Sequence, residues 1–572
     1  MVPKKKSIDE QFVKLEHIDH IKELPDTYVG SVEEITEEEF IFNEEKFLME
    51  KKKLTYIPAL LKIYDEIIVN ASDHITRTKI ENLERVTRID INITENNVSI
   101  KNNGQGIPIV IHKKENKYIP EMIFGDLLTS ENYSNKEKII GGRNGYGSKL
   151  TNIFSTEFVV ETVDSINQKK FKQTFRNNMS NRDKPKITQS KVKPYTIITY
   201  TPDFKRFNIE KFNNDMISLM KKRAYDLSAT SDPSVSVYLN NQKIGIKQFD
   251  KYVDYYVGDK KQTPRVYVEV NDRWKIAVCL SPDDKFEQIS FVNGISTTRG
   301  GTHVKYISTQ LSNKLASYIE NKKKKKVKTS HIKDQMWIFI NCIITNPSFT
   351  SQTKIELSSK TSNFGSKCDI NDDFIQKVAK CGIIERAISF SDFKGQNELK
   401  KTDGKKKNRI RVPKLEDANF AGTSKSEGCC LILTEGDSAK TFAVSGLSIV
   451  GRDRFGVFPL KGKPLNVRDA SAKQLLENEE LKNIKEILGL RQGVIYKDTK
   501  QLRYSRVMIC TDADVDGSHI KGLFINMISY FWPDLLQVDN FICSMRTPVV
   551  KATKGKNILS FYNLPEYEKW KK

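Results

Sequence analysis

Between residue 58 and about residue 74 the apolar positions keep a helical rhythm. Leu60, Ile63, Tyr64, Ile67, Ile68 and Ala71 recur at three- and four-residue spacing behind Pro58, whose fixed φ suits a first turn, and predict a helix from Pro58 to about His74. The period then drops to two over Arg88–Ile93 and Val98–Lys101, as in half-buried strands. Gly-rich loops at 103–106 and 141–147 punctuate the chain beyond these strands, so residues 54–234 read as a mixed α/β domain. Residues 1–53 are charge-rich and broken by the turn-like Pro25-Asp26-Thr27-Tyr28-Val29-Gly30, which predicts an N-terminal arm.

Residues 235–393 alternate strand-like pieces (Val235–Leu239, Arg265–Val270, Ile276–Leu280) with helical stretches and read as a second α/β domain. Lys394–Lys414 is basic and poor in apolar residues, which predicts a linker over 394–426. In 427–572 the runs Cys430–Thr434 and Val507–Cys510 each lead into acidic residues, the pattern of buried parallel strands with polar ends. The fold class is therefore multidomain α/β, and the length of 572 residues accommodates it.

Composition adds a partner class. A formal charge of +22 favours polyanions, nucleic acid first and an anionic membrane second. The most apolar stretch, Met336–Ile344, is far short of the roughly 20 residues a spanning helix needs, which argues against a membrane protein. The basic Pro3–Lys6 lacks the apolar core of a secretory signal and resembles at most a weak nuclear address. Eight scattered cysteines without a CxxC pair suggest neither a zinc site nor a disulfide framework, and so a reducing intracellular setting.

Glu66, Asn70 and Asp73 fall at i, i+4 and i+7, one stripe of the predicted helix, opposite its apolar face. Asn in such a place can hold a metal and Glu can activate water; taken alone, the stripe reads equally as a solvated helix face. Two loops add to it. In Asn102-Asn-Gly-Gln-Gly106-Ile-Pro108 glycines permit close backbone approach to a ligand, and an Asn amide can read an adenine edge. In Gly141-Gly-Arg-Asn-Gly-Tyr-Gly-Ser-Lys149 the freed N–H groups suit phosphate, with Arg143 and Lys149 supplying charge. The second loop has neither the Walker order nor the Rossmann fingerprint.

These three boxes, in this order, resemble the gyrase, Hsp90, histidine kinase and MutL superfamily, which implies a Bergerat-type α/β sandwich ATPase and ATP as cofactor. Tyr28-Val-Gly-Ser-Val-Glu33, Ile139–Lys149 and Ser351-Gln-Thr-Lys354 further resemble the eukaryotic-type DNA topoisomerase II (type IIA) family, from about residue 12 to the end. That resemblance implies Glu66 as general base, Asn70 as Mg²⁺ ligand, Asn102 as adenine contact, and Gly142, Arg143, Asn144, Gly145, Tyr146, Gly147, Ser148 and Lys149 as phosphate cradle. Ser130, Glu131 and Asn132 would add ribose or phosphate contacts. Gln352, Thr353 and Lys354 would reach the γ-phosphate from a transducer domain, and Tyr28 would cross to the partner's ATP in a closed homodimer. Two positions depart from the family pattern: Glu131 stands where Ser is usual, and His74 where Asn is usual. An extra carboxylate near a triphosphate is repelled by it, so Glu131 is expected to turn outward.

Asp512-Ala-Asp-Val-Asp-Gly517 groups three carboxylates behind an apolar strand, oxygens that suit hard Mg²⁺. A calcium EF-hand is excluded because its twelfth position would be Leu523, where a bidentate Glu is needed. With Leu433-Thr-Glu-Gly-Asp-Ser438 the pair resembles the Toprim domain, implying Glu435, Asp512 and Asp514 as Mg²⁺ ligands supported by Asp516. Phe458-Pro-Leu-Lys-Gly-Lys463 resembles the family's phosphate strip with Lys461 in place of Arg, keeping a point charge and losing bidentate geometry. Lys322, Lys323, Lys324, Lys325 and Lys326 resemble a DNA-sensing lysine loop, for which binding would be sequence-blind and salt-sensitive.

The expectation is the ATPase and metal-bearing portion of a type II topoisomerase, an ATP-driven clamp on double-stranded DNA, in the nucleus or at a viral replication site. The Lys- and Ile-rich composition suits a viral homologue. Its cleavage tyrosine is expected on a separate winged-helix segment, since the one Arg-Tyr pair, Arg503-Tyr504, matches a Toprim stretch. ATPase without strand passage is expected of this chain alone. A MutL-like relative and a non-hydrolytic ATP-gated DNA-binding module are the competing readings.

Overall fold

The computed structural model describes residues 14–129, 139–142, 145–470, 472–512, 514–545 and 548–572, leaving aside the side chains of 395–397, 472 and 473. The chain divides into two compact units, Met1–Ala387 and Ile388–Lys572.

The first unit opens with α1 (His17–Glu23) and an antiparallel hairpin, β1 (Ile35–Asn43) and β2 (Leu48–Tyr56). Ile41, Met49 and Leu54 of the hairpin are buried in the main core, so the later part of the expected arm is a packed layer. Helix α2 (Pro58–Ile80) runs past His74 because Ile75 and Thr78 carry its buried face onward. Its expected solvated stripe needs correction. The helix is enclosed by the sheet, by α3 (Gly147–Ile153) and by α4 (Asn214–Thr230), so Glu66 is only 2% exposed while Asn70 faces open space.

Beneath these helices lies a nine-stranded sheet. Its main strands are β3 (Arg88–Ile93), β4 (Val98–Asn103), β5 (Ser155–Asp164), β6 (Lys169–Arg176), β7 (Tyr195–Pro202) and β8 (Ser236–Leu239), ordered β6-β5-β7-β4-β3-β8. Pairing is antiparallel except that β8 joins β3 in parallel, Ser236 opposite Arg88. The strand expected to begin the second domain thus completes the first sheet, because Val237 and Leu239 are buried in the same core. Helix α5 (Phe249–Val257) adds Phe249, Tyr252 and Tyr256 to that core.

A second sheet in this unit has the order β9-β10-β13-β11-β12, from Arg265–Asn271, Trp274–Leu280, Met336–Cys342, Glu287–Val292 and Ile295–Ser296 respectively. The apolar run at 336–344 supplies its central strand: β13 is antiparallel to β10 and parallel to β11, and its side chains are buried on both faces. Helix α6 (Thr302–Lys323) lies in the crossover between β12 and β13.

The second unit is built on four strands, all parallel: β14 (Cys430–Glu435), β15 (Phe455–Leu460), β16 (Arg506–Cys510) and β17 (Ile542–Ser544), ordered β15-β14-β16-β17. Helix α7 (Ile383–Lys400) spans the division between the units. The segment expected as a free linker is docked instead: Leu399, Val412, Ala418 and Ala421 are buried in the second core, and Ile410, Leu415 and Phe420 pack against it half-buried. Buried Arg503 binds the Lys407 carbonyl at 2.7 Å and Asp417 at 2.5 Å, fixing the same segment. Among the described residues, no helix is long and apolar enough to cross a membrane.

Candidate functional site

A cavity of about 770 Å³ opens between α2, the end of β4, the Gly-rich loop with the start of α3, and residues 352–354. It is lined by Glu66, Asn70, Asn102, Gly142, Gly145, Tyr146, Gly147, Ser148, Lys149, Gln352 and Lys354, so sequence boxes nearly 300 residues apart meet around one space.

Glu66 Oε1 carries two ammonium groups, Lys62 Nζ at 2.6 Å and Lys354 Nζ at 3.3 Å. Burial alone would raise the Glu66 pKa; Lys354 and then Lys62 override it and hold the carboxyl down at about 2. Glu66 is therefore a buried carboxylate, ionised at the cavity wall. Its other oxygen faces the first residue of α3, where a Cβ on Gly147 would lie 2.4 Å from Glu66 Oε2. Any side chain there would push the Glu66 carboxylate from its place.

Asp73 plays a different part. It accepts the backbone N–H groups of Gly141 and Gly142, both at 2.7 Å, and so pins the Gly-rich loop to α2. Burial nevertheless pushes Asp73 up to about 6, with the two glycine N–H groups working against that rise. Lys149 donates to the Thr129 carbonyl at 2.7 Å, and burial lowers it to about 8. His74, the departure from the family pattern, accepts from Arg77 at 2.6 Å through Nδ1; burial first and Arg77 second bring it to about 4, so it is neutral.

Some expectations are relocated. Gly106 lines the cavity and also meets protein closely: a Cβ there would sit 1.8 Å from the Val163 carbonyl of β5. Asn102 is 8% exposed at the cavity wall, its amide donating to the Asn103 carbonyl at 3.0 Å. Thr353 does not line the cavity; its hydroxyl pairs with Ser351 at 2.5 Å. The Tyr28 hydroxyl is 2.9 Å from His20 Nδ1 and its ring 5.9 Å from Tyr146, whose hydroxyl meets His17 at 3.0 Å. Ser130, Glu131, Asn132, Arg143 and Asn144 lie outside the described residues. The sequence reading missed Lys62 and Arg77; the i, i+4 spacings Lys62/Glu66 and Asp73/Arg77 were the available signal.

In the second unit Glu435 ends β14 and accepts the Asp512 N–H at 3.4 Å, so both acids stand at the C-terminal edge of the parallel sheet. Ligands gather at that edge in such folds. The expected cluster is looser than a ligand set. Asp514 caps α8 (Val515–Phe531), accepting from Gly517 N at 2.7 Å, and Asp516 pairs with Lys463 at 2.9 Å. Among the described residues no three His, Cys, Asp or Glu groups converge closely enough to hold a metal ion. The donor chemistry suits a hard divalent cation, and the divergence has a local cause: one carboxylate is spent on a helix start and another on a lysine.

Lys461 donates its backbone N–H to Glu480 at 2.7 Å, with its ammonium 3.9 Å from Glu479. Lys322 and Lys323 end α6, Lys324 follows in the left-handed region at φ 54°, and Lys326 lies 3.4 Å from Glu320; all five lysines through Lys326 are exposed. Tyr504 is fully buried, bound to Asp417 at 2.5 Å and to the Ala418 N–H at 2.9 Å, and burial holds its phenol far above the ordinary range. It is a structural residue.

Fold and site define a gyrase B-type ATPase region followed by a Toprim domain. The DNA gyrase B family model matches residues 245–406 and the Toprim domain model residues 430–543. The chain is 48% identical to DNA topoisomerase 2 of Arabidopsis thaliana and 47% identical to that of Saccharomyces cerevisiae, with 99% of this chain covered in each case. It spans 39% and 41% of the length of those relatives. The solved ATPase region of the S. cerevisiae topoisomerase II is 44% identical, with a TM-score of 0.63, covering 68% of this chain and all of that one. The ATPase and transducer domains of topoisomerase II from Balamuthia mandrillaris give 41% and 0.64, covering 68% and 99%. The chain belongs to the DNA topoisomerase II family. Its domains are of the kinds that use a nucleotide and a divalent metal.

Proposed function

We propose that this chain performs the ATP-hydrolysing and metal-bearing part of a type IIA topoisomerase reaction, in which a homodimer closes on ATP and passes one DNA duplex through a transient break in another. The observation that carries this reading is the buried carboxylate of Glu66, held ionised at the wall of a nucleotide-sized cavity. Glu66 takes a proton from the attacking water, Lys354 stabilises charge on the γ-phosphate, and the N–H groups of Gly142–Lys149 cradle the phosphates. Asn102 recognises adenine, and Asn70, exposed in the cavity, holds the Mg²⁺ that accompanies ATP. Tyr28 exchanges its contact in its own chain for the partner's nucleotide as the dimer closes.

In the second unit Glu435, Asp512 and Asp514 would hold Mg²⁺, with Asp516 in support; bound there, the ion supplies stabilisation of charge on the scissile phosphate. The cleaving tyrosine comes from a winged-helix segment of the same longer chain or of a separate subunit. Lys322–Lys326, Lys461 and Lys463 contact DNA phosphates. The DNA substrate places this work inside the cell, in a nucleus or at a viral replication site.

Steady-state ATPase with and without duplex DNA tests the reading, with Glu66→Ala as control. Turnover stimulated by DNA and reduced about 10³-fold in the variant is expected. Absence of Glu66-dependent turnover would leave a non-hydrolytic ATP-gated module.

A further inference from the structure

We propose that Lys62 is a positioning residue for ATP turnover, held behind Glu66 to keep that carboxylate aimed and charged when Lys354 leaves it for the nucleotide. The inference rests on the roles given above to Glu66 and Lys354.

Three observations carry it. Both ammonium groups sit on one oxygen, Glu66 Oε1, yet only Lys354 and Glu66 line the cavity; Lys62, 6% exposed, lies behind them. Lys62 is on the same helix, four residues before Glu66, so α2 fixes the pair as a unit. Lys354 is on a separate turn, its N–H bound to the Ser351 carbonyl at 3.1 Å and its φ at 63°.

An ammonium drawn onto a terminal phosphate shares its charge between phosphate and base, and holds the Glu66 carboxylate ionised less strongly. Once Lys354 turns to phosphate, a buried carboxylate left without a cation would take up a proton, and a protonated Glu66 cannot accept one from water. Lys62 prevents this. Among the described residues Glu66 is its one ion-pair partner, and its Nζ makes no other hydrogen bond. Burial lowers the Lys62 pKa and the Glu66 carboxylate works against that fall; neighbouring Asp65, which also bears on Lys62, is engaged by Arg223 of α4 at 2.5 Å, and Asp73 by the loop glycines. Lys62 lies outside the cavity lining and acts through Glu66.

The test compares the full chain with Lys62→Met and Lys62→Arg. Infrared spectra across pH, with a non-hydrolysable ATP analogue bound, follow the carboxyl band that Glu66→Gln lacks. In Lys62→Met that band should titrate at least about one pH unit higher than in the parent. Its kcat should fall about tenfold or more near neutral pH with KM within about threefold, the acid limb of the profile moving to higher pH. Lys62→Arg should restore most of both. Should Met not fold at this buried position, Lys62→Gln gives the same comparison. An unmoved carboxyl band overturns the proposal, as does a loss that is uniform across pH and not rescued by Arg. The band decides the matter even if the parent shows no Glu66-dependent turnover, an outcome that would count against the proposed function instead.

Discussion

Glu66 and Glu435 each lead an acidic motif, and their surroundings show two ways of preparing a carboxylate. Glu66 is enclosed, its charge maintained by Lys62 and Lys354 in a space that excludes solvent. Glu435 is half-buried at a sheet edge, and Asp512, Asp514 and Asp516 beyond it are exposed. The first site arrives with its cations built in as side chains. The second has its acids turned to local duties, a helix cap and a surface ion pair, which a stronger cation can displace. A buried site keeps its charge by fixed partners, whereas an open one can leave that task to solvent until a metal arrives.

The comparison breaks most readily at Lys354. Lys354→Ala should lower kcat for ATP about 10²-fold while nucleotide binding, measured with a fluorescent analogue, changes little. An unchanged kcat would remove the second built-in cation from the account. At the other site Asp512→Asn should weaken divalent-metal binding about tenfold by calorimetry with Mn²⁺, leaving ATP turnover as it was.

The pH dependence of stability sharpens the contrast within the first site. Asp73 has its folded pKa raised from 3.8 to about 6, so the folded state binds the extra proton and stability falls as pH rises through that window. Glu66 has the opposite sign: lowered from 4.5 to about 2, its contribution is present above 4.5 and is lost as pH falls toward 2. Asp73→Asn should flatten the decline of Tm between about pH 4 and 6. Glu66→Gln should flatten the fall on the acid side below 4.5. The smallest effect belongs to Lys463→Ala, which frees exposed Asp516 and should change metal affinity by about threefold or less, since surface ion pairs contribute little.

Much of the nucleotide site was legible because its requirements are local. Helical spacing put Glu66, Asn70 and Asp73 on one stripe, and the glycines at 141–147 marked a loop whose backbone had to be bare. Lys62 escaped notice because a lysine four residues from a glutamate reads as an ordinary solvated pair until the helix is known to be enclosed. Gly106 was read as room for a ligand; it lines the cavity, and its bareness is required as well by β5, a strand whose position no local pattern specifies. Asp514 was read as a metal ligand; the same short side chain that binds cations also caps helices, and the start of α8 at Val515 gives it that second duty, which no spacing of acids reveals.

The sequence by itself determined the elements and their order: a Pro-led amphipathic helix, period-two strands, bare glycine loops and acids at strand ends, all properties of near neighbours along the chain. Only the tertiary structure decided the charge and burial of Glu66. Those depend on α4 and the sheet closing over α2, and on Lys354 arriving from 288 residues away; solvent exclusion is a property of the packed assembly and not of any segment within it.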